Sequence, residues 1–337
     1  MATCFERPSD WDNDVSSCLI AWSPCGRFVA CANDSPSHSP HANVFARIWC
    51  AQTKLLVHSI PIPAPNGRTP HKFVQAIQFV GEQLVIVTET ECIVVHAPQG
   101  PEPLWTLVKR IPVDPLTDVQ VAYVSPLGLV ALGYYGAIRV IHIDEEVALP
   151  PIKTDVHVRA IGISFDGTKV AAITSTGDQD TSVLKVWRTH GGELIHTVST
   201  GDRGEHQLVW ANQSDAIALS MNDRVTVVRI CPDGITERCS AAPFKNTYKL
   251  GVSSMAWSPD DAFIACIVLN DIIFLRASDL TIDPARVMPL DDPAEGSDEA
   301  SIAFAPDGTA VATLEYWVED HSQDGIAPHH PFVRKLA

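Results

Sequence analysis

A repeat of roughly 45 residues constrains the fold of this chain more than any other feature of the sequence. Each copy has an apolar stretch that ends in an aromatic or apolar anchor, then a short turn, then a second apolar stretch. Seven copies cover nearly all of the 337 residues. The copies read LIAWSPCGRFVACA, AIQFVGEQLVIVT, VAYVSPLGLVALG, IGISFDGTKVAAIT, LVWANQSDAIALS, MAWSPDDAFIACIV and IAFAPDGTAVATL.

The spacing of the anchors indicates the size of the repeating unit. The residues taken as anchors before each turn are Trp22, Phe79, Val124, Phe165, Trp210, Trp257 and Phe304. Successive anchors are 57, 45, 41, 45, 47 and 47 residues apart. This period suits a four-stranded blade of a β-propeller.

The order of β-prone runs within a copy predicts how each blade is built. Two runs flank Ser-Pro, Asp-Gly or Gly, which favour tight reversals because Pro presets φ and Gly accepts positive φ. A third run follows, such as Val44 to Trp49 or Val183 to Trp187, and then a weaker fourth. Radial stacking of such sheets buries both faces of each. The sequence therefore predicts an all-β fold, a single seven-bladed β-propeller of four-stranded antiparallel blades.

The predicted blade boundaries leave the last blade one strand short. The blades run approximately over 17–60, 73–110, 118–152, 158–199, 206–240, 251–288 and 300–337. Phe332 to Leu336 matches the third strand of the last blade, and no fourth strand follows it. We expect residues 2–6 at the N-terminus to supply that outer strand, so that the ring has no open edge at its seam.

Several turns carry a family resemblance. WSPCG at Trp22 to Gly26, WSPDD at Trp257 to Asp261 and APDG at Ala305 to Gly308 resemble the first turn of WD repeats. RIWC and KVWR resemble the third-strand segment that ends in Trp-Asp, with Cys50 and Arg188 where that family has Asp. The resemblance implies a divergent WD-repeat propeller that is held mainly by apolar packing. It also implies that the connections between blades, and those between second and third strands, share the face that usually binds partners.

Charge and cysteine content narrow the classes of partner and compartment. Acidic residues number 40 against 24 basic ones, a net charge of −16 that repels nucleic acid phosphates and anionic membranes. Nine cysteines without a CxxC pair are typical of small buried side chains in a reducing compartment, such as Cys31, Cys50, Cys92 and Cys266. With neither a signal peptide nor an apolar run long enough to span a bilayer, we expect an intracellular protein of the cytoplasm or nucleus.

Acids concentrate in the connections predicted for the partner-binding face. The candidate partner-binding residues are Trp11, Asp12, Asp14, Asp114, Asp118, Asp155, Asp202, Asp291, Asp292 and Asp298. Such a face would attract a basic peptide or domain. The alternative is that these acids are ordinary turn residues, since Asp caps turns with its own side chain.

The tryptophans divide by their position in the repeat. Five fall on repeated positions, either the anchors or the ends of third runs, and are predicted to lie in the core: Trp22, Trp49, Trp187, Trp210 and Trp257. Trp11, Trp105 and Trp317 do not fit that register, and an exposed aromatic residue amid acids makes a good partner contact. For Trp11 there are two readings, a partner contact or packing against the last blade.

Two His-rich loops belong to blades that ring closure would make neighbours. His38 and His41 lie in the first blade, and His321, His329 and His330 lie in the last. Neutral imidazoles bind zinc, but these residues lack a fixed ligand spacing. We therefore interpret them as recognition loops and predict no metal.

Motifs for catalysis are missing from the sequence. It has no GxSxG elbow, P-loop, GxGxxG after a strand or HExxH. We expect a non-catalytic protein-interaction scaffold, or a recognition subunit of an intracellular complex, without a cofactor. The alternatives are a hydrolase-like propeller enzyme with its site at the mouth of the central channel, and a lectin-like propeller that binds small ligands.

Overall fold

The structure is a computed structural model that confirms the propeller. It describes residues 2–5, 17–34, 44–62, 74–98, 105–113, 119–154, 157–175, 182–201, 207–221, 224–231, 234–240, 252–268, 271–290, 301–315 and 330–336. These ranges contain β-strands and no helix, so none of them offers a helix that could cross a membrane. The strands form seven antiparallel sheets, one for each predicted repeat. We call the strands of a blade a to d, in their order across the sheet.

The chain divides into two compact units, and the first holds blades 1, 2 and 7. This unit comprises residues 1–113, 269–272 and 286–337. Blade 1 contains β2 (Ser17–Trp22), β3 (Phe28–Asp34), β4 (Val44–Cys50) and β5 (Leu56–Ile62). Blade 2 contains β6 (Val74–Val80), β7 (Gln83–Thr88), β8 (Glu91–His96) and β9 (Thr106–Pro112). Blade 7 contains β27 (Ser301–Phe304), β28 (Ala310–Glu315), β29 (His330–Lys335) and β1 (Ala2–Cys4).

The second unit, residues 114–268 and 273–285, holds blades 3, 4 and 5. Blade 3 contains β10 (Val121–Val124), β11 (Leu129–Tyr134), β12 (Ala137–His142), and an outer strand in two pieces, β13 (Val147–Ala148) and β14 (Ile152–Lys153). Blade 4 contains β15 (His157–Ile163), β16 (Lys169–Ser175), β17 (Ser182–Arg188) and β18 (Leu194–Gly201). Blade 5 contains β19 (Leu208–Trp210), β20 (Ala216–Met221), β21 (Arg224–Cys231) and β22 (Gly234–Ser240). Blade 6 draws on both units and contains β23 (Val252–Trp257), β24 (Phe263–Val268), β25 (Asp271–Arg276) and β26 (Met288–Pro289).

The N-terminal strand completes blade 7, as the sequence predicts. β1 pairs antiparallel with β29, with Ala2 opposite Arg334 and Cys4 opposite Phe332. Phe5 follows this strand and is 3% exposed, with its ring centre 5.9 Å from that of Trp49 in blade 1. The N-terminus therefore supplies both a strand and a core side chain.

Alternating burial explains why the second strand of a blade is apolar throughout. In β3, Val29 and Cys31 pack in the core shared with blade 7, whereas Ala30 and Ala32 pack in the core shared with blade 2. Successive side chains of a strand point to opposite faces, and here both faces are covered. Cys31, like Cys92 and Cys266, is buried as predicted, but Cys50 at the end of β4 is only partly buried.

Blade 4 corrects one predicted anchor. Phe165 is 41% exposed in the a–b turn, whereas Ile163 at the end of β15 is 1% exposed. Ser164 occupies the place of Ser23, so the core anchor comes two residues earlier than predicted. Phe165 therefore stands where Pro24 stands in blade 1.

Two tryptophans also differ from the prediction. Trp105 is 6% exposed and packs edge-on against Phe28 with ring centres 5.2 Å apart, so it is a core residue and not a partner contact. Trp22 is only partly buried, although Trp49, Trp187, Trp210 and Trp257 are core residues as expected. Trp11 and Trp317 lie outside the described residues.

Candidate functional site

The residues that the sequence singled out for partner binding lie outside the described ranges. This holds for Trp11, Asp12, Asp14, Asp114, Asp118, Asp155, Asp202, Asp291, Asp292 and Asp298, and for the loop residues His38, His41, His321 and His329. Of His330 the backbone is described: it begins β29 and pairs with Glu315. The described residues offer other exposed features on the same blades.

The a–b turns of blades 1, 4 and 6 are held by a serine that follows the first strand. The hydroxyl oxygens of Ser23, Ser164 and Ser258 accept the N–H groups of Phe28, Lys169 and Phe263, each at 2.9 Å. In blade 6 the Ser258 hydroxyl also donates to Asp260 at 2.6 Å. The bonds fix the backbone, so side chains within the turn have defined directions. We call the side of the blades that carries the a–b and c–d turns the turn face.

Four large apolar side chains are exposed on the turn face of blades 3 and 4. Leu127 (49% exposed) and Phe165 (41%) lie in the two a–b turns. Val147 (52%) and Leu194 (49%) each begin the outer strand after a c–d turn. We call these four residues the apolar surface. Half-exposed leucine, valine and phenylalanine side chains gathered on adjacent turns are unusual away from binding sites.

The neighbouring turns of blades 3 and 4 pack closely against each other. A Cβ atom added at Gly167 would lie 3.2 Å from Cδ1 of Leu127, so Leu127 rests on the turn that carries Phe165. In the c–d turn of blade 4, a Cβ atom at Gly192 would lie 3.3 Å from Cγ1 of Ile152 in blade 3. Both glycines have positive φ, +74° and +65°, which their turns require.

An acidic turn borders the apolar surface. Asp144, Glu145 and Glu146 form the c–d turn of blade 3, directly before Val147, and all three are exposed. A lysine on this face is paired: the Lys169 ammonium lies 3.0 Å from both carboxylate oxygens of Asp215. The turn at residues 144–146 thus places negative charge toward solvent beside the apolar side chains.

The same two blades carry an ordered aromatic residue on their opposite face. Tyr135, in the b–c turn of blade 3, is 66% exposed, and its ring packs edge-on against His157 with centres 4.6 Å apart. The Gln120 side-chain amide lies 3.0 Å from Nδ1 of His157. This is the face that the WD-repeat resemblance associates with partners, and a tyrosine held by neighbours suits a contact there.

Ionisable groups do not gather into a metal-binding centre within the described residues. In that part of the chain, no group of three or more His, Cys, Asp or Glu side chains could hold a metal ion. Burial, with the charge of Glu91, raises the pKa of the Cys92 thiol to about 12, and burial also raises the pKa of Cys266. Each of these thiols lies within an apolar strand and acts as a packing residue.

Comparisons with known proteins bear on the fold. No protein-family profile matches the sequence, and no curated protein matches it. Among solved structures, the β-propeller domain of Cps50 (Swd1) from Myceliophteria thermophila is similar over all of both chains, at 14% identity and a TM-score of 0.66. Hydrazine synthase of Kuenenia stuttgartiensis is similar over 92% of this chain and 95% of its own, at 15% identity and a TM-score of 0.64. At these identities the likeness shows the propeller fold alone, because proteins of different function can share one fold.

The a–b turns carry a sequence signal for the apolar surface, apart from the repeat itself. The third position of the a–b turn is Asp166, Asp260 and Asp307 in blades 4, 6 and 7, but it is Leu127 in blade 3. An apolar residue at a turn position that is acidic in three other blades is expected to be exposed. Phe165 at a proline position is the second such departure.

Proposed function

We propose that this chain is a non-catalytic protein-binding platform, and that the turn face of blades 3 and 4 receives a basic segment of a partner that carries apolar side chains. The observation that supports the proposal is the apolar surface, with side chains 41–52% exposed beside the acidic turn at residues 144–146. Soluble monomers rarely leave large contiguous apolar patches in water unless the patch binds something.

The expected energies suit a specific contact. Burying a whole leucine or phenylalanine side chain is worth about 1.5–3 kcal/mol, so finishing the burial of one that is half exposed contributes roughly 1 kcal/mol. Ordering the partner offsets part of that gain. The carboxylates of the acidic turn would then favour basic partners and raise their encounter rate.

The opposite face belongs to the same proposal. The sequence predicts that acids such as Asp114, Asp118 and Asp155 attract a basic segment there, and Tyr135 adds an exposed aromatic residue to that face. A propeller that serves as a platform in a multi-subunit assembly can use both faces at once. That a basic partner binds the face of the b–c turns and of the connections between blades stays a prediction.

The test compares two pairs of exposed apolar residues. Leu127→Ser with Phe165→Ser removes the centre of the apolar surface, while Leu107→Ser with Val108→Ser changes β9 of blade 2, where the side chains are 54% and 48% exposed. Each purified chain is immobilised, and proteins retained from a cell extract are quantified by mass spectrometry. Partners should be retained about tenfold less by the first pair and equally by the second.

A second pair of variants tests the role of charge. Asp144→Asn with Glu145→Gln should slow association with the same partner at low salt, and the effect should fade as salt screens the charges. Glu82→Gln, at an exposed turn of blade 2, is the control. If every partner bound the Leu127 and Phe165 variant as tightly as the unchanged chain, the turn face would not be the platform.

A further inference from the structure

A groove opens on the turn face between blades 7 and 1. It has a volume of about 490 Å³ and is open to solvent along one side. Trp22 and Pro24 line it from blade 1, and Pro306 lines it from the a–b turn of blade 7. Lys54 and Lys335 contribute the positively charged side chains of its lining.

Two residues of the sequence explain why this junction is open. In blade 6, Asp261 has φ +56°, and its carboxylate accepts the N–H of Asn212 at 2.7 Å and that of Gln213 at 3.0 Å in blade 5. The equivalent residue in blade 1 is Gly26, with φ +71° and no side chain. The equivalent of Asn212 in blade 7 is Pro306, which has no N–H to donate. The junction of blades 7 and 1 therefore lacks both the carboxylate acceptor and the first N–H donor of the link that joins blades 5 and 6.

The charge in the groove is positive and has no carboxylate partner within the described residues. No carboxylate of that part of the chain lies within ion-pair distance of Lys54 or Lys335. The one acid in the lining, Asp307, has its Oδ1 occupied by the N–H and hydroxyl of Thr309, at 3.0 and 2.8 Å. A positive groove is an exception in a chain of net charge −16.

Lys54 is held in place at some cost. Its backbone has φ +65°, which side-chain-bearing residues rarely adopt, and its ammonium lies 4.6 Å from the centre of the buried Phe5 ring. Burial lowers the pKa of Lys54; the nearby Cys50 raises it and the charge of Lys335 lowers it, with a net pKa below 10.5. An anion placed between the two ammonium groups would relieve their repulsion.

We propose that this groove binds an acidic, extended segment of a partner protein, with a carboxylate between Lys54 and Lys335 and apolar atoms against Trp22 and the two prolines. The sign of the charge selects an acidic ligand. The open shape favours a chain segment, because sites for small molecules bury about 70–90% of their ligand. The groove lies in the first unit and the apolar surface in the second, so this site is independent of the function proposed above.

The experiment selects ligands from a library of random 12-residue peptides displayed on phage, with the full chain as bait. A parallel selection uses the variant Lys54→Gln with Lys335→Gln, and a control uses Lys153→Gln with Lys185→Gln, two lysines outside the groove. Peptides recovered on the unchanged chain and on the control, and lost on the groove variant, should be rich in Asp and Glu beside apolar residues. Recovery of no peptides, or of peptides that bind the groove variant equally, would overturn the proposal.

Affinity measurements with the best recovered peptide then locate the contact. The groove variant should weaken binding about tenfold at low salt, as should Gly26→Asp, which restores the carboxylate found in blade 6. A Cβ atom at Gly26 would meet only Cγ of Pro306, at 3.6 Å, so the side chain has space, although φ +71° strains the backbone. Competition by free glutamate as strong as that by the peptide would instead indicate a small-anion site and would overturn the assignment of a segment.

The two proposals can fail separately. The Leu127→Ser and Phe165→Ser variant should bind the acidic peptide normally, and the groove variant should retain the partners of the apolar surface. If the groove variant loses both kinds of ligand while its melting temperature is unchanged, the groove is not an independent site, and this inference is wrong.

Discussion

The junction between blades 5 and 6 and the junction between blades 7 and 1 use nearly the same turn and end in opposite states. The turns read WSPDD at Trp257 to Asp261 and WSPCG at Trp22 to Gly26. In the first junction, the Asp261 carboxylate joins the neighbouring turn, and the Trp257 indole N–H donates to the Val209 carbonyl at 3.0 Å. Asn212 adds a bond from its side chain to the Ser258 carbonyl at 3.0 Å.

In the junction of blades 7 and 1 these connections are missing from the described residues. The indole nitrogen of Trp22 is buried without an acceptor, and Gly26 faces Pro306 across a van der Waals gap. Gly26 in place of Asp261 and Pro306 in place of Asn212 thus leave a groove where blades 5 and 6 have a hydrogen-bonded junction. What closes the blades there is the N-terminal strand, with Phe5 packed against Trp49.

The largest effect should come from removing residues 1–10, which takes away β1 and Phe5. Loss of one buried phenylalanine side chain costs about 3–5 kcal/mol, and exposing the edge of β29 adds to that cost. We expect a lower free energy of unfolding in urea and a lower melting temperature for the whole chain. Phe5→Ala, which keeps the strand, should lose only the packing part. A truncated chain with an unchanged melting temperature would contradict the role of this strand.

The next effect should come from Asp261→Gly in the hydrogen-bonded junction. Glycine keeps the positive φ but removes the acceptor of two N–H groups and of the Ser214 hydroxyl, so about 1–3 kcal/mol of stability should be lost. The matched control is Asp279→Gly, an exposed turn acid that bonds only within its own turn, to Thr281. Equal losses in urea unfolding for the two variants would mean that Asp261 does not act across the junction.

The reciprocal exchange in the open junction should have a smaller effect. Gly26→Asp places a side chain at φ +71° with no N–H from Pro306 to accept, so it should cost roughly 1 kcal/mol. Adding Pro306→Asn supplies that donor, and the double variant should recover part of the loss. Thermal unfolding of the two single variants and the double variant measures this coupling. Strictly additive changes would mean that the two residues do not meet across the junction.

The fold was predictable because the repeat expresses physical requirements that the sequence meets seven times. Strand alternation, turn chemistry and a last blade with three strands led to the propeller and to its closure by β1. The sequence predicts the wrong anchor for blade 4 because Phe165 is an aromatic residue at a position where other blades have proline. Trp105 was misjudged because it precedes an outer strand, where the repeat has no anchor, yet it reaches the core against Phe28.

The candidate surfaces were harder to predict because they depend on neighbours that the sequence separates. Leu127 becomes part of an apolar surface only because its turn lies against that of Phe165. Lys54 becomes part of a positive groove only because it lies near Lys335, at the other end of the chain. The groove depends on a side chain and an N–H that are missing, and a sequence shows such gaps only after the turns of different blades are aligned. The composition predicted a basic partner, but it gave no sign of a local positive site.

The smallest effect concerns Cys50, which stands beside the groove where WD repeats have Asp. Burial raises the pKa of the Cys50 thiol, but bonds from the hydroxyl and N–H of Thr53 and the N–H of Gln52 outweigh it, and the pKa lies below 9.0. The folded chain therefore releases this proton at lower pH than the unfolded chain, so the free energy of unfolding should rise slightly with pH between the lowered pKa and 9.0. Cys50→Asp should be tolerated because a carboxylate accepts the same bonds, whereas Cys50→Ala should cost about 1 kcal/mol.

Alkylation by iodoacetamide, followed at each cysteine by mass spectrometry across pH, checks this assignment. Cys50 should react with a midpoint below that of a free thiol, while Cys92, with a pKa of about 12, should react only after unfolding. A Cys50 midpoint at or above that of a free thiol would mean that the turn does not stabilise the thiolate.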